Sequence, residues 1–197
     1  METTRLETFA DGIFAIAATL LIIDVSVRAN GDRLGNALAH AWPEYVAYAV
    51  SFLTIGIMWL NHHEVLRHIG RADRTFLSIN ILLLMTVAFV PFPTRLVAEH
   101  LRDSGVRAAA FAYGLTMVAE AACWGALWFY ACRGRRLIAD DADPRAVEGI
   151  TRAFIPGVPT YAVATAVAFW SPHASLAIFA ALAVFYLLES SLLAARR

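Results

Sequence analysis

Long apolar stretches separated by short polar clusters make up the chain, and each stretch approaches the roughly 20 residues that a helix needs to cross a hydrocarbon core. They cover about residues 9–28, 41–63, 76–98, 107–132, 152–171 and 174–194, which predicts six transmembrane helices. The breaks are polar: Asn30-Gly31-Asp32, His68 to Arg74, Arg95 to Arg107, and Arg133 to Asp143, while the last two stretches meet at Ser171-Pro172-His173. No low-complexity tract or long linker divides the chain, so residues 1–197 are expected to form one all-α integral membrane domain. The halves would match as a three-helix repeat only in span count, because the second carries no motif of the first.

Composition agrees with lipid as the solvent. Of the 197 residues 59% are hydrophobic and only 16% charged, against about 25% charged in soluble domains. Formal charge is zero, which leaves no basic patch for a nucleic acid. All basic residues are arginine, and their distribution sets an orientation, because cytoplasmic loops are enriched in Arg and Lys. With the N-terminus inside, Arg5, Arg67, Arg71, Arg74, Arg133, Arg135, Arg136, Arg145, Arg152, Arg196 and Arg197 are cytoplasmic. Only Arg28, Arg33, Arg95, Arg102 and Arg107 fall on the other side. An even number of spans in the cell membrane, both termini cytoplasmic, follows. Glu2, Glu7 and Asp11 beside Arg5 do not resemble a secretory signal, so the first stretch is expected to be a retained helix. Cys123 and Cys132 would lie ~13 Å apart on one helix, beyond disulfide reach.

Polar residues within a span are costly and tend to face protein. In Arg5-Leu6-Glu7-Thr8-Phe9-Ala10-Asp11 the two outer charges are ~120° apart around a helix, so each needs a partner elsewhere, unless Arg5 reaches to headgroups and Asp11 simply caps the helix start. Farther on, Ile16, Leu20 and Ile23 cluster within ~60° on one face. Ala15, Ala17, Ala18 and Thr19 would let neighbouring helices approach closely. Such a stripe has two readings, ordinary packing or an apolar constriction on an axis shared by several subunits. In the second, a cation sheds part of its hydration to pass, which costs more for Na⁺ than for K⁺, and dewetting gates the pore. No Thr-Val-Gly-Tyr-Gly filter loop is present.

The segment Arg5-Leu-Glu-Thr-Phe9-Ala-Asp11 with Gly12-Ile-Phe-Ala-Ile16-Ala-Ala-Thr-Leu20-Leu-Ile-Ile23-Asp24 resembles the first helix of bacterial relatives of transmembrane protein 175, the endosomal and lysosomal potassium channel. Phe52-Leu-Thr-Ile-Gly-Ile-Met-Trp59-Leu-Asn61-His62-His63 is similar to that family's second helix, and Asn80 with Pro91-Phe-Pro93-Thr94 to its third. The resemblance implies a six-helix subunit and a homotetramer assembled around the first helices. It also implies passive, potassium-selective conduction of monovalent cations, with no cofactor beyond the permeant ion. The family's Arg-x-x-x-Phe-Ser-Asp signature falls on Arg5, Phe9, Ala10 and Asp11, where Ala10 replaces serine and removes one hydroxyl. The constriction maps to Ile16, Leu20 and Ile23; some relatives carry a hydroxyl at the last position.

Trp59, Asn61, His62 and His63 end the second stretch on the side of Arg5 and Asp11, and are expected to lock helices one and two together; the simpler reading is an interfacial Trp–His belt. His63-Glu64 and His68 miss the His-Glu-x-x-His spacing and lie ~140° apart, so no metal site is expected. His40, His100 and His173 fall near the opposite surface. Asp24 would gather cations at the outer mouth, and Glu120 is a membrane carboxylate that either packs quietly or serves an ion or proton path. A proton-coupled or proton-conducting transporter using Glu120 and the histidines is the alternative function. A membrane enzyme is not expected, because no nucleophile, acid and base stand at workable spacing.

Overall fold

The computed structural model describes residues 3–23, 25–26 and 34–194. Nine α-helices are described: α1 Thr3–Ile23, α2 Leu34–His40, α3 Trp42–Arg67, α4 Arg74–Phe89, α5 Pro91–His100, α6 Val106–Cys132, α7 Pro144–Phe154, α8 Gly157–Val167 and α9 Pro172–Ala194. Among the described residues four segments are long and apolar enough to cross a membrane, Thr4–Ile23, Trp42–Arg67, Arg74–His100 and Val106–Arg135, and Pro172–Leu188 of α9 is a shorter apolar run. Their hydroxyls bond back to their own backbone, Thr8 to the Thr4 carbonyl and Thr19 to those of Ala15 and Ile16, each at 2.9 Å. This keeps polar atoms satisfied where lipid offers no partner.

The third span is α4 and α5 joined at a proline bend. Pro91 has no N–H and its ring crowds the carbonyl one turn back; that carbonyl, of Val87, accepts instead from the Val90 N–H at 3.1 Å. The Thr94 hydroxyl donates to the Val90 carbonyl at 2.9 Å, and Ser51 of α3 donates to Thr94 at 2.8 Å. The bend is thus tied to α3 by buried hydroxyls, both nearly inaccessible.

The stretch expected to be a fifth span, 152–171, is instead divided. α7 ends at Phe154 and α8 begins at Gly157, with Ile155 and Pro156 between them. Pro156 and Pro159 explain the division: proline is tolerated in a helix's first turn but breaks an interior, so both sit at the head of a new helix. α7 is amphipathic. Its start is capped by Asp143, which accepts from the Arg145 N–H at 2.9 Å, and Val147, Ile150 and Phe154 turn to the core while Arg145, Glu148 and Arg152 are exposed.

α6 is the central post, packed against α4, α5, α8 and α9, while α1 lies on α3 and α4. The α6–α8 approach is close enough that a Cβ on Gly114 would come within 2.5 Å of the Thr165 hydroxyl oxygen. At the end of α6 the backbone reverses through left-handed conformations at Gly134 (φ 65°) and Arg135 (φ 53°). The following strand-like segment pairs Ile138 with Ile69, through Gly70 N–H to the Leu137 carbonyl at 3.0 Å and Ala139 N–H to the His68 carbonyl at 2.9 Å. Asp73 fixes this junction. It caps α4 by accepting from the Phe76 N–H at 2.9 Å, and takes Tyr130 at 2.8 Å and Arg136 at 2.6 Å on its other oxygen. The Phe76 amide first, then Tyr130 and Arg136, hold its carboxyl below the usual carboxylate range.

Cys123 and Cys132 are unbonded thiols, and the described residues hold no group of three or more His, Cys, Asp or Glu that could bind a metal.

Candidate functional site

α1 divides cleanly into two faces. Leu6, Ala10, Phe14, Ala17 and Leu21, spaced four, four, three and four apart, are buried against the body of the subunit. Ile16, Leu20 and Ile23 are 61%, 42% and 73% exposed on the subunit's outside. Small residues do not all pack as anticipated: Ala17 is buried and Ala18 half-buried, but Ala15 and Thr19 are exposed. Phe9, 57% exposed, joins Ile13, Ile16 and Leu20 along a groove of about 260 Å³ whose far wall is Ile81, Met85 and Ala88 of α4.

The rotation of α1 is set by two polar contacts to α3. The Trp59 indole N–H donates to Asp11 Oδ1 at 2.8 Å, and His63 Nδ1–H donates to Glu7 Oε1 at 2.8 Å. The helices run antiparallel here, so four residues back on α1 is four residues on along α3. Asp11 lies ~140° and Leu20 ~180° around the helix from the positions of Ile16 and Asp11 respectively, so anchoring Asp11 and Glu7 to α3 turns the branched stripe outward.

His62 does not reach α1 by hydrogen bonding. It is 1% exposed and donates from Nε2 to Asn80 Oδ1 of α4 at 2.8 Å, while Phe14 of α1 rests on its ring at a centroid distance of 5.4 Å. A buried histidine with a side-chain acceptor satisfies its N–H without a metal or water. Arg5 is exposed and has no ion-pair partner among the described residues, and Asn61 is half-buried with no hydrogen bond to the other anchors. Asp24 lies outside the described residues.

Sequence reasoning passed over Glu7 as an anchor. The signal was present: Glu7 and Asp11 are four apart, and so are Trp59 and His63, which is the spacing that two antiparallel helices require for two rungs on one face. It also left Asn80 without a partner, since nothing in spacing relates residues on α3 and α4 whose approach depends on the whole bundle.

Residues 5–91 match the family model described as the endosomal/lysosomal potassium channel TMEM175. A potassium channel of Streptomyces collinus is 44% identical over 188 residues, which cover 94% of this chain and 91% of that protein. The fold superposes, with a TM-score of 0.88 and 38% identity, on the crystal structure of a lysosomal potassium-selective channel TMEM175 homolog from Chamaesiphon minutus, over 96% of this chain and 98% of that one. The human endosomal/lysosomal proton channel TMEM175 is 33% identical over 140 residues, 63% of this chain and 28% of that longer protein.

Proposed function

Because the chain belongs to the TMEM175 family of ion channels, we propose that it is a potassium-selective channel of the cell membrane, a homotetramer assembled around α1 of subunits that cross the bilayer six times, through α1, α3, α4–α5, α6, α7–α8 and α9. Both termini are cytoplasmic in this reading, in line with the arginine bias. The observation that carries it is the outward turn of Ile16, Leu20 and Ile23 on a helix whose opposite face is held by Asp11–Trp59 and Glu7–His63.

Rings of these side chains around a four-fold axis make an apolar constriction without carbonyl or carboxylate ligands. A cation crossing it gives up part of its water and receives nothing in return, and the smaller, more strongly hydrated Na⁺ pays the larger penalty. Closed symmetry of this kind uses unlike surfaces on the two flanks of each subunit. The concave Phe9–Met85 groove on one flank of the stripe and the small Gly12, Ala15 and Thr19 on the other fit that requirement.

Purified protein in liposomes is expected to carry K⁺ current under a K⁺/Na⁺ gradient, with a reversal potential near that of K⁺. Equal permeation of both ions, or flux that saturates and requires a proton gradient, contradicts passive potassium selectivity.

One observation favours a second reading, proton conduction: the human relative is named a proton channel. With K⁺ equal on both sides and a pH gradient imposed, a potassium channel reverses near zero and a proton channel follows the gradient.

A further inference from the structure

Glu120 lies deep in α6, 2% exposed, and among the described residues neither carboxyl oxygen makes a hydrogen bond of normal geometry, the Trp124 indole one turn along being the near donor. It occupies the inward stripe of that helix with Tyr113, Met117, Trp124 and Leu127, where bilayer and protein exclude water. No arginine or histidine faces it directly. The titratable groups around it are Tyr113 and Cys123 on its own helix and Tyr161 on α8, with Tyr186 of α9 beside Tyr161. α4, which packs on α6, buries Phe76, Asn80, Leu83, Leu84 and Val87, none of which titrates. α3 contributes His62, on the far side of the Trp124 ring.

An ionised carboxylate in such a place, with no cation beside it and only the Trp124 indole as a near donor, is among the costliest arrangements a membrane protein can contain. A bound proton removes the charge. The position is also connected. Trp124, one turn along α6, meets the His62 ring edge-on at 6.0 Å, and His62 meets Phe14 on the buried face of α1 at 5.4 Å. These ring contacts run from the turn of α6 that holds Glu120 to the helix that carries Ile16.

We propose that Glu120 is a proton-binding site within the membrane, off the pore axis, whose occupancy is transmitted to α1 through Trp124, His62 and Phe14. The second half of this statement rests on α1 being the pore helix; the first half does not. A proton arriving at Glu120 fills a carboxyl oxygen lone pair and neutralises the side chain, and its release leaves a charge that the α6–α8 interface must accommodate by shifting.

Infrared spectroscopy of the full chain in liposomes tests the first half. The carbonyl stretch of a protonated carboxyl group is expected at neutral pH in the natural protein and is expected to be lost in Glu120→Gln, which keeps the shape of the neutral acid. A spectrum with no such band to lose overturns the site, whether or not the protein conducts. K⁺ flux against pH, equal on both sides, tests the second half. The natural chain is expected to change its flux over the pH range in which the band disappears. Glu120→Gln is expected to lose that dependence, and Trp124→Phe, with the carboxyl intact, to keep the band but weaken the pH dependence of flux. Identical pH profiles for the natural chain and Glu120→Gln overturn the coupling.

Discussion

With Leu20 replaced by alanine, reconstituted protein is expected to pass Na⁺ almost as readily as K⁺. Four branched side chains leave the constriction at once, the passage widens, and water accompanies the ion through it, so the difference in dehydration cost between the two cations collapses. A tenfold fall in the permeability ratio corresponds to ~1.4 kcal/mol, and at ~2.3 kcal/mol per charge per 100 mV that moves the bi-ionic reversal potential by about 60 mV toward zero. Total current is expected to rise, because the same step that selects also limits the rate. Leu20 is 42% exposed on the isolated subunit, so its truncation leaves the fold intact and the measurement reads the pore. An unchanged ratio with unchanged current places Leu20 away from the ion path.

Replacing Asp11 with alanine is expected to abolish conduction by a different route. It strips the Trp59 indole N–H of its 2.8 Å acceptor and leaves Glu7–His63 as the one remaining polar rung between α1 and α3 among the described residues. An unsatisfied donor at a helix interface costs ~1–3 kcal/mol, with the lower figure apt while the contact is partly open. In a ring the loss recurs in every subunit, and α1 is free to rotate by the few tens of degrees that carry the stripe off the axis. Asp11→Asn keeps an acceptor and is expected to retain most of the current. Asp11→Ala with Trp59→Phe removes donor and acceptor together and is expected to be milder than Asp11→Ala alone. Size-exclusion and single-channel records check both. Tetramers of normal stability with normal current in Asp11→Ala refute the anchor.

The spans with a clear apolar run were legible because the bilayer imposes one rule, length, and α1, α3 and α6 obey it. α1 was legible in more detail, since the i, i+4, i+7 stripe of Ile16, Leu20 and Ile23 is set by helix geometry alone, and the structure turns it away from the subunit's own core. The region 152–171 was not. Its apolar content satisfies a span, but Pro156 and Pro159 divide it, and α7 is amphipathic with Arg145 and Arg152 on its exposed face. Hydropathy counts residues and overlooks where a backbone N–H is missing.

The anchors were half legible. Trp59 and His63 were expected to meet the start of α1, and they do, but through Asp11 and Glu7, while Arg5 stands apart and His62 turns to Asn80. Which of two adjacent histidines faces which neighbour depends on 100° of rotation, fixed by packing among α1, α3 and α4 together. The Asp73–Tyr130–Arg136 junction is likewise invisible in spacing, since it joins residues about 60 apart that approach only once α6 has packed on α4.

An electron cryo-microscopy map of the assembled protein in lipid decides whether α1 lines the ion path. Four α1 helices are expected around one axis, with Ile16, Leu20 and Ile23 from every subunit forming its narrowest passage. A map in which those side chains contact acyl chains, or in which no passage runs between the subunits, contradicts that arrangement.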